Sequence, residues 1–181
     1  MSDTQDVDLL QYTIFSSPIG VLLIATAGGK IIRVAFEVQG FQQVLDVLGN
    51  QFGPAVQRNN ETLVDARQQF DEYFAGARRD FQLPLHPHHR TQRFRSIVQQ
   101  HLTTIPYGQT RSYGQLAEQL DKPGAARAIG SACASNPLPL IQPCHRVVRA
   151  DGSYGQYSGS PDAKSYLLAF ERGEQPIATT S

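Results

Sequence analysis

Cysteine is scarce in this chain. Cys133 and Cys144 are the two thiols in 181 residues. Two thiols do not make a framework of spaced disulfide pairs, so a reduced intracellular thiol is the better reading. Long apolar runs are missing too: stretches such as Val21-Leu22-Leu23-Ile24-Ala25 are far too short to span a bilayer. Met1 to Asp6 is acidic and polar, without the basic and apolar regions of a signal peptide. A cytoplasmic protein with no membrane partner is expected. There is no internal repeat and no low-complexity segment. Net charge is zero, which gives no basic footprint for nucleic acid over the chain as a whole. The total hides an asymmetry, however. Residues 1–89 carry six Lys/Arg against ten Asp/Glu, and residues 90–181 carry ten against six. Any nucleic acid is therefore expected on the second half.

What is present reads as an ordinary globular chain, 40% hydrophobic and 18% charged, long enough for one compact domain or two small packed ones. The first half has α/β character. Leu10 to Phe15, Val21 to Thr26 and Ile31 to Phe36 read as strands, separated by a Ser17-Pro18-Ile19-Gly20 turn and a Gly28-Gly29 hairpin turn. Helical spacing follows over 40–51, with Phe41, Val44, Leu45 and Leu48. It recurs over 61–75, with Leu63, Ala66, Phe70, Tyr73 and Phe74, and Gly76 serves as the C-cap. Tyr73, Phe74 and Phe94 are expected to be core aromatics. Phe81 to Leu85 is a short extended piece, and His86-Pro87-His88-His89-Arg90 reads as a solvated linker.

The second half is mainly helical. Thr91 to Thr103 places Phe94, Ile97, Val98 and Leu102 on one face. Ser112 can cap a helix reaching Leu120, with Gln115 completing a capping box. Asp121-Lys122-Pro123-Gly124 makes a turn, and a second helix runs from Ala125 to Ser135 until Asn136-Pro137 stops it. This is a helix-turn-helix pattern, although any two packed helices with a short turn look similar. The second helix is rich in small residues, which read no base edges in a major groove but let a backbone approach closely. Arg127 is its one long cation, able to enter a base stack.

Gln142-Pro143-Cys144-His145-Arg146-Val147-Val148 carries the chemistry. A thiol followed by an imidazole is a candidate nucleophile and base. Neighbours in an extended segment point opposite ways, so a relay through one water is expected, with a carboxylate orienting the other ring nitrogen. Taken alone, a Cys-His pair also fits a buried structural cysteine, and Cys133, among helix alanines, is read as core filling.

Together with Ile105-Pro106-Tyr107-Gly108, Ser112-Tyr113, Ala125 to Gly130, Asn136-Pro137, Tyr157-Ser158-Gly159, Lys164 and Leu167-Leu168…Glu171, this segment resembles the O6-alkylguanine-DNA alkyltransferase family. The resemblance implies an α+β fold. A small ribonuclease-H-like α/β domain with a three-stranded antiparallel sheet occupies 1–89. It packs on a mostly helical domain at 90–175 that holds the helix-turn-helix, and a tail covers 176–181. The implied activity is irreversible, stoichiometric transfer of an alkyl group from O6 of guanine, and from O4 of thymine, in duplex DNA to Cys144. Minor-groove binding and nucleotide flipping precede it. The implied partner is duplex DNA carrying O6-alkylguanine, bound by a monomer, with cooperativity on DNA left open and no cofactor.

The resemblance also implies roles. Cys144 accepts the alkyl group, His145 is its water-mediated base, and Glu171 orients His145. Tyr113 helps rotate the nucleotide and protonate the departing guanine, and Asn136 braces the turn before the active segment. Val147 offers a backbone carbonyl to the base, Tyr157 and Ser158 lie on the closing loop, and Lys164 is a nearby support. Arg127 replaces the flipped base, and Ala126, Ala128, Gly130, Lys122 and Arg95 complete the DNA face. A thiol pKa lowered by local positive character is expected at Cys144.

Three positions depart from the family pattern: Gln142 is usually aliphatic, Gln99 is commonly Trp, and Ala134 is basic in some relatives. Some relatives hold zinc in the first half through cysteines. Residues 1–89 contain none, and His86, His88 and His89 on a Pro-containing stretch make a poor closed tetrahedral site, so no metal is expected. Two other functions remain open from the residues: a thiol hydrolase using Cys144, His145 and Glu171, and a non-enzymatic helix-turn-helix protein.

Overall fold

The computed structural model describes residues 9–53, 56–61, 63–90 and 93–174. Strands β1 (Leu10–Ser17), β2 (Gly20–Ala27) and β3 (Lys30–Phe36) form the expected antiparallel meander. Gly28 and Gly29 both take positive φ, 55° and 74°, as a two-residue turn between right-twisted strands requires. The sheet is larger than expected, because β4 (Val56–Arg58) adds parallel to β1 and the order becomes β3-β2-β1-β4. Val56-Gln57-Arg58 offers only three residues and no buried side chain, too little alternation to register as a strand.

The sheet is covered on both faces. Helix α1 (Phe41–Phe52) packs Val44, Leu45 and Leu48 on Leu23, Ala25, Ile32 and Ala35. Helix α2 (Val64–Phe74) packs Ala66, Phe70 and Tyr73 on the other face, over Phe15, Leu22, Ile24 and Val34. Gly76, at φ 76°, ends α2 as expected. Leu138, Leu140 and Ile141 from the second half sink into this same core, as do Ala163 and Leu167 of α6 (Pro161–Glu171). The sheet is thus the platform on which the Cys144 segment is laid.

The second half packs α3 (Phe94–His101), α4 (Tyr113–Gln119) and α5 (Ala126–Ala134) around Val98, Leu102, Leu116, Ile129 and Val147. Thr91 and Gln92, expected to begin α3, lie outside the described residues, as does the tail from 175. Ile97, expected on the buried face, is exposed. The Ser112 capping box forms in both directions, with Gln115 N to Ser112 Oγ at 3.1 Å and Ser112 N to Gln115 Oε1 at 2.8 Å. Strands β5 (Arg111–Ser112) and β6 (Val147–Val148) pair in parallel and tie α4 to the active segment. Both are two residues long, below what alternation can reveal.

The supposed solvated linker is part of the fold. Leu85 bridges to Ile31, the His86 amide donates to the Ile31 carbonyl at 3.0 Å, and Pro87–His89 makes a short 3-10 turn. His89 is buried, and its carbonyl accepts from the Ser96 hydroxyl on α3. The backbone of this segment extends the sheet edge, a satisfaction that composition does not reveal.

Candidate active site

The segment from Asn136 to Val148 is held before it reaches Cys144. Asn136 Oδ1 accepts from the Leu138 amide at 3.0 Å, and its Nδ2 donates to the Gln142 carbonyl at 2.7 Å. The same carbonyl accepts from the Cys144 amide at 2.7 Å, and the Val34 amide of β3 donates to the Pro137 carbonyl at 2.9 Å. Leu140 adopts a left-handed φ of 69°, a conformation that costs an L-residue about 1–2 kcal/mol. Its burial with Leu138 and Ile141 in the sheet core outweighs that cost. Asn136 therefore sits where the expected brace would be. Cys144–Arg146 is a single 3-10 turn, not the extended segment expected. The turn sends both His145 and Arg146 toward α6.

Glu171, in the last turn of α6, receives them. Its carboxylate accepts five hydrogen bonds: from Tyr73 Oη (2.7 Å), the Gly108 amide (3.1 Å), His145 Nε2 (2.8 Å), and Arg146 through Nε (2.9 Å) and Nη2 (2.9 Å). Burial alone would push this carboxyl up. The hydrogen bonds and positive character of His145 and Arg146 instead hold it well below the usual carboxylate range. An ionised carboxylate only accepts, so His145 Nε2 carries the proton and Nδ1 keeps a lone pair. Nδ1 is buried and has no partner among the described residues. Burial pushes the imidazole down despite Glu171, which keeps it neutral at rest. The site thus holds a neutral base with one free nitrogen, backed by a fixed negative charge.

Cys144 is 2% exposed. Contrary to expectation its thiol is pushed up, because burial outweighs the Asn136 hydrogen bond and the charge of Lys164 that pull it down. The thiol is neutral at rest, so acting as a nucleophile would require a base to take its proton. Lys164 is fully buried and donates from Nζ to the Val147 carbonyl at 2.6 Å. One lone pair of that carbonyl remains for another donor. Tyr113 packs against the cluster that contains Cys144, and burial pushes its phenol up, so it is a proton donor at neutral pH. Tyr157 Oη and Ser158 Oγ are buried without partners among the described residues. The Tyr157 ring lies edge-on to Phe36 at 5.5 Å, and a Cβ on Gly159 would sit 2.8 Å from the Phe36 ring. The end of β3 thereby presses on the loop next to the thiol.

A cavity of about 390 Å³ opens outside Tyr113. It is lined by Ala126, Arg127, Gly130, Ser131 and Ala134 of α5 and by Arg149, Gly155 and Gln156 from the segment after β6. Arg127 and Ala128 are exposed, as is Lys122 in the preceding turn. Arg95 is also exposed but lines a different cavity, with His88 and His89. Cys133 is buried beside Ile129 and Ala132, its thiol pushed up to about 12 by burial first and Cys144 second, as a core residue should be. Gln99 fills a helix–helix gap by donating to the Ala132 carbonyl at 3.0 Å at the end of α5. Gln142 is buried with Oε1 unpartnered among the described residues.

Residues 10–87 match the ribonuclease-like domain of the 6-O-methylguanine DNA methyltransferases, and residues 93–173 match their DNA-binding domain. The methylated-DNA–protein-cysteine methyltransferase of Mycolicibacterium paratuberculosis is 37% identical over 95% of this chain and 98% of its own. This chain belongs to the methylated-DNA–protein-cysteine methyltransferase family. The constitutive Bacillus subtilis relative is 36% identical, over 89% of this chain and 94% of its own. Among solved structures, the Mycobacterium tuberculosis OGT in complex with DNA superposes with a TM-score of 0.79. It is 34% identical and covers 93% of this chain and 96% of that one.

Within this methyltransferase fold, several site residues carried no role in the sequence reading. Tyr73 is a core aromatic as expected, yet its hydroxyl serves Glu171 from 98 residues away. No local spacing signals that. Arg146 and Gly108 stood inside quoted motifs, and each proves to bond Glu171. Gly108 has φ 75°, and a Cβ there would lie 2.9 Å from the Glu171 carbonyl oxygen, which explains a glycine after Tyr107. Arg149 sat in a stretch with no pattern at all.

Proposed function

We propose that this protein repairs alkylated DNA by moving an alkyl group from O6 of guanine to the sulfur of Cys144. The observation that carries the reading is the buried series Glu171–His145, with a free Nδ1, next to a neutral Cys144 thiol. As sulfur attacks the alkyl carbon, the S–C bond forms and the C–O6 bond breaks. The thiol proton passes to His145 Nδ1 through one water, and the departing guanine takes a proton from the Tyr113 hydroxyl. Glu171 steadies the imidazolium, and Lys164 the developing thiolate. The Asn136 side chain, already bonded to the segment, keeps the sulfur in place. The thioether is a poor leaving group, so one molecule repairs one lesion; O4-alkylthymine offers the same electrophile. DNA is met in the minor groove by α5, whose small residues allow close approach, with Arg127 filling the stack as the nucleotide rotates out. Arg149 lines the same cavity as Arg127 and adds positive charge for the phosphates. The protein acts in the cytoplasm as a monomer.

The test is incubation with free O6-benzylguanine, followed by intact mass and peptide mapping. One stable benzyl adduct per chain on Cys144, abolished in Cys144→Ser while duplex binding persists, is the expected result. Repeated turnover would indicate a thiol hydrolase, and label on Cys133 would sink the assignment.

A further inference from the structure

Two further cavities lie away from Cys144. One, of about 290 Å³, is bounded by α1 and by Ile32 and Arg33 of β3. The other, of about 500 Å³, is bounded by Arg93, Arg95 and Gln99 near α3 and by Ser135 just past α5. His88, His89 and Pro137 line both, so they form one groove crossing from the sheet domain to the helical domain. Among the described residues the charge lining it is of one sign: Arg33, Arg93 and Arg95 line it with the two imidazoles, and no described Asp or Glu does.

Arg33 is the unusual member. Its Nε is buried with no hydrogen-bond partner, and its guanidinium makes no ion pair or hydrogen bond among the described residues. A shielded guanidinium without a counter-charge is unfavourable, and such groups are normally paired. Arg146, the buried arginine of the active site, has Glu171; Arg33 has nothing equivalent. The fork geometry of arginine suits a tetrahedral oxyanion. His88 lines the same cavity, held by Gln51 Nε2 at 3.2 Å from its Nε2 and by a T-shaped contact with Phe52. The groove also ends where α5 ends, at Ser135, beside the helix that the proposed function puts on DNA.

We infer that this groove is a phosphate-binding site, with Arg33 as the principal ligand and His88 and Arg95 supporting it. The nearest source is the DNA backbone flanking the lesion, which would extend the footprint onto the N-terminal domain; this source rests on the proposed function. A free phosphate offers the same chemistry.

The experiment compares the full chain with Arg33→Gln and Arg33→Lys. Binding to undamaged duplex is measured between 50 and 300 mM NaCl. Thermal stabilisation by orthophosphate is measured against chloride at matched ionic strength. For a backbone contact, Arg33→Gln lowers the slope of log K against log salt by about 0.9 and weakens binding about tenfold at 50 mM salt. Arg33→Lys restores most of both. If the slope is unchanged but orthophosphate no longer raises the Tm of Arg33→Gln, the site takes free phosphate. Wild-type salt slope and wild-type phosphate response in Arg33→Gln would overturn the inference. Benzyl transfer to Cys144 is followed in the same samples. Its absence from the wild type would defeat the proposed function whatever the groove does.

Discussion

Replacing Glu171 by glutamine keeps the shape of the buried hub and removes its charge. Two consequences should separate. Arg146 is 4% exposed, and Glu171 is its ion-pair partner. Removing one member of a buried pair costs about 3–5 kcal/mol, a large share of the roughly 5–15 kcal/mol that holds a domain folded. At about 2–4 °C per kcal/mol for a chain of this size, Tm should fall by about 6–20 °C. Transfer should fall independently, by about 10²- to 10³-fold, because the imidazolium formed at His145 loses its preorganised counter-charge. The acid limb of the pH–rate profile should move to lower pH, since Glu171 raises the imidazole pKa and His145 without it stays unprotonated further down. Adding Arg146→Met distinguishes the two effects. The double variant buries no orphaned cation, so most of the lost Tm should return. About 1 kcal/mol stays lost for the Ile105 carbonyl, which Arg146 Nη1 serves at 2.6 Å. Transfer should stay slow in the double variant, because His145 still lacks its carboxylate. The assays are a thermal scan and the rate of benzyl adduct formation by mass between pH 5 and 9. A single variant with the wild-type rate and pH profile would refute the relay. A double variant recovering rate as well as stability would show that Glu171 acts only through the fold.

Other expectations follow from the same geometry. Arg127→Ala should slow repair in duplex DNA by at least about tenfold while leaving reaction with the free base unchanged; equal losses would make Arg127 a fold residue. Gly155→Ala should slow adduct formation on both substrates, because its Cβ would intrude on the Tyr113 hydroxyl; a wild-type rate would show that the loop lifts freely. His89 has its pKa lowered to about 4, by burial first and His88 second, with His86 adding a smaller share. A folded pKa below the unfolded value of about 6.5 means that the unfolded chain binds more protons in between. Stability should therefore be full above about pH 6.5 and decline as pH falls toward 4, by about 3 kcal/mol in all. His89→Asn should flatten that slope in urea titrations at stepped pH, and an unchanged slope would assign it elsewhere.

How much of this was legible in the sequence depends on the range over which each residue acts. The meander was readable because Gly28-Gly29 and alternating apolar residues act on immediate neighbours, and the Ser112–Gln115 box because it closes within one turn. Cys144 and His145 were legible as a candidate nucleophile and base, and Glu171 as their carboxylate only through resemblance. His145 and Glu171 do meet, at 2.8 Å, but nothing in their spacing of 26 residues requires it. Three things escaped for physical reasons. β4 is too short to alternate, the His86–His89 segment is ordered by backbone bonds that any sequence could make, and Arg33 looks like any strand-edge cation until its surroundings are known.

A fourth omission, the role of Tyr73, goes deeper. An aromatic at helical spacing reads as core, and Tyr73 is core, 1% exposed. Yet its hydroxyl makes one of the five hydrogen bonds that Glu171 accepts, and burial, followed by the Glu171 charge, pushes its own phenol well up, so it stays protonated and donates to the carboxylate. The sheet domain thus reaches the chemistry in three places: Tyr73 at Glu171, Val34 at the Pro137 carbonyl, and Phe36 against Tyr157 and Gly159. Each is a tertiary contact between residues far apart in the chain. Each fixes a different member of the site: the carboxylate, the turn ahead of the thiol, and the loop over it. A helical domain cut free of its sheet would keep every residue named in the reaction and lose what sets their positions. Binding to DNA would survive such a cut better than transfer, since α5 owes none of its packing to these three contacts.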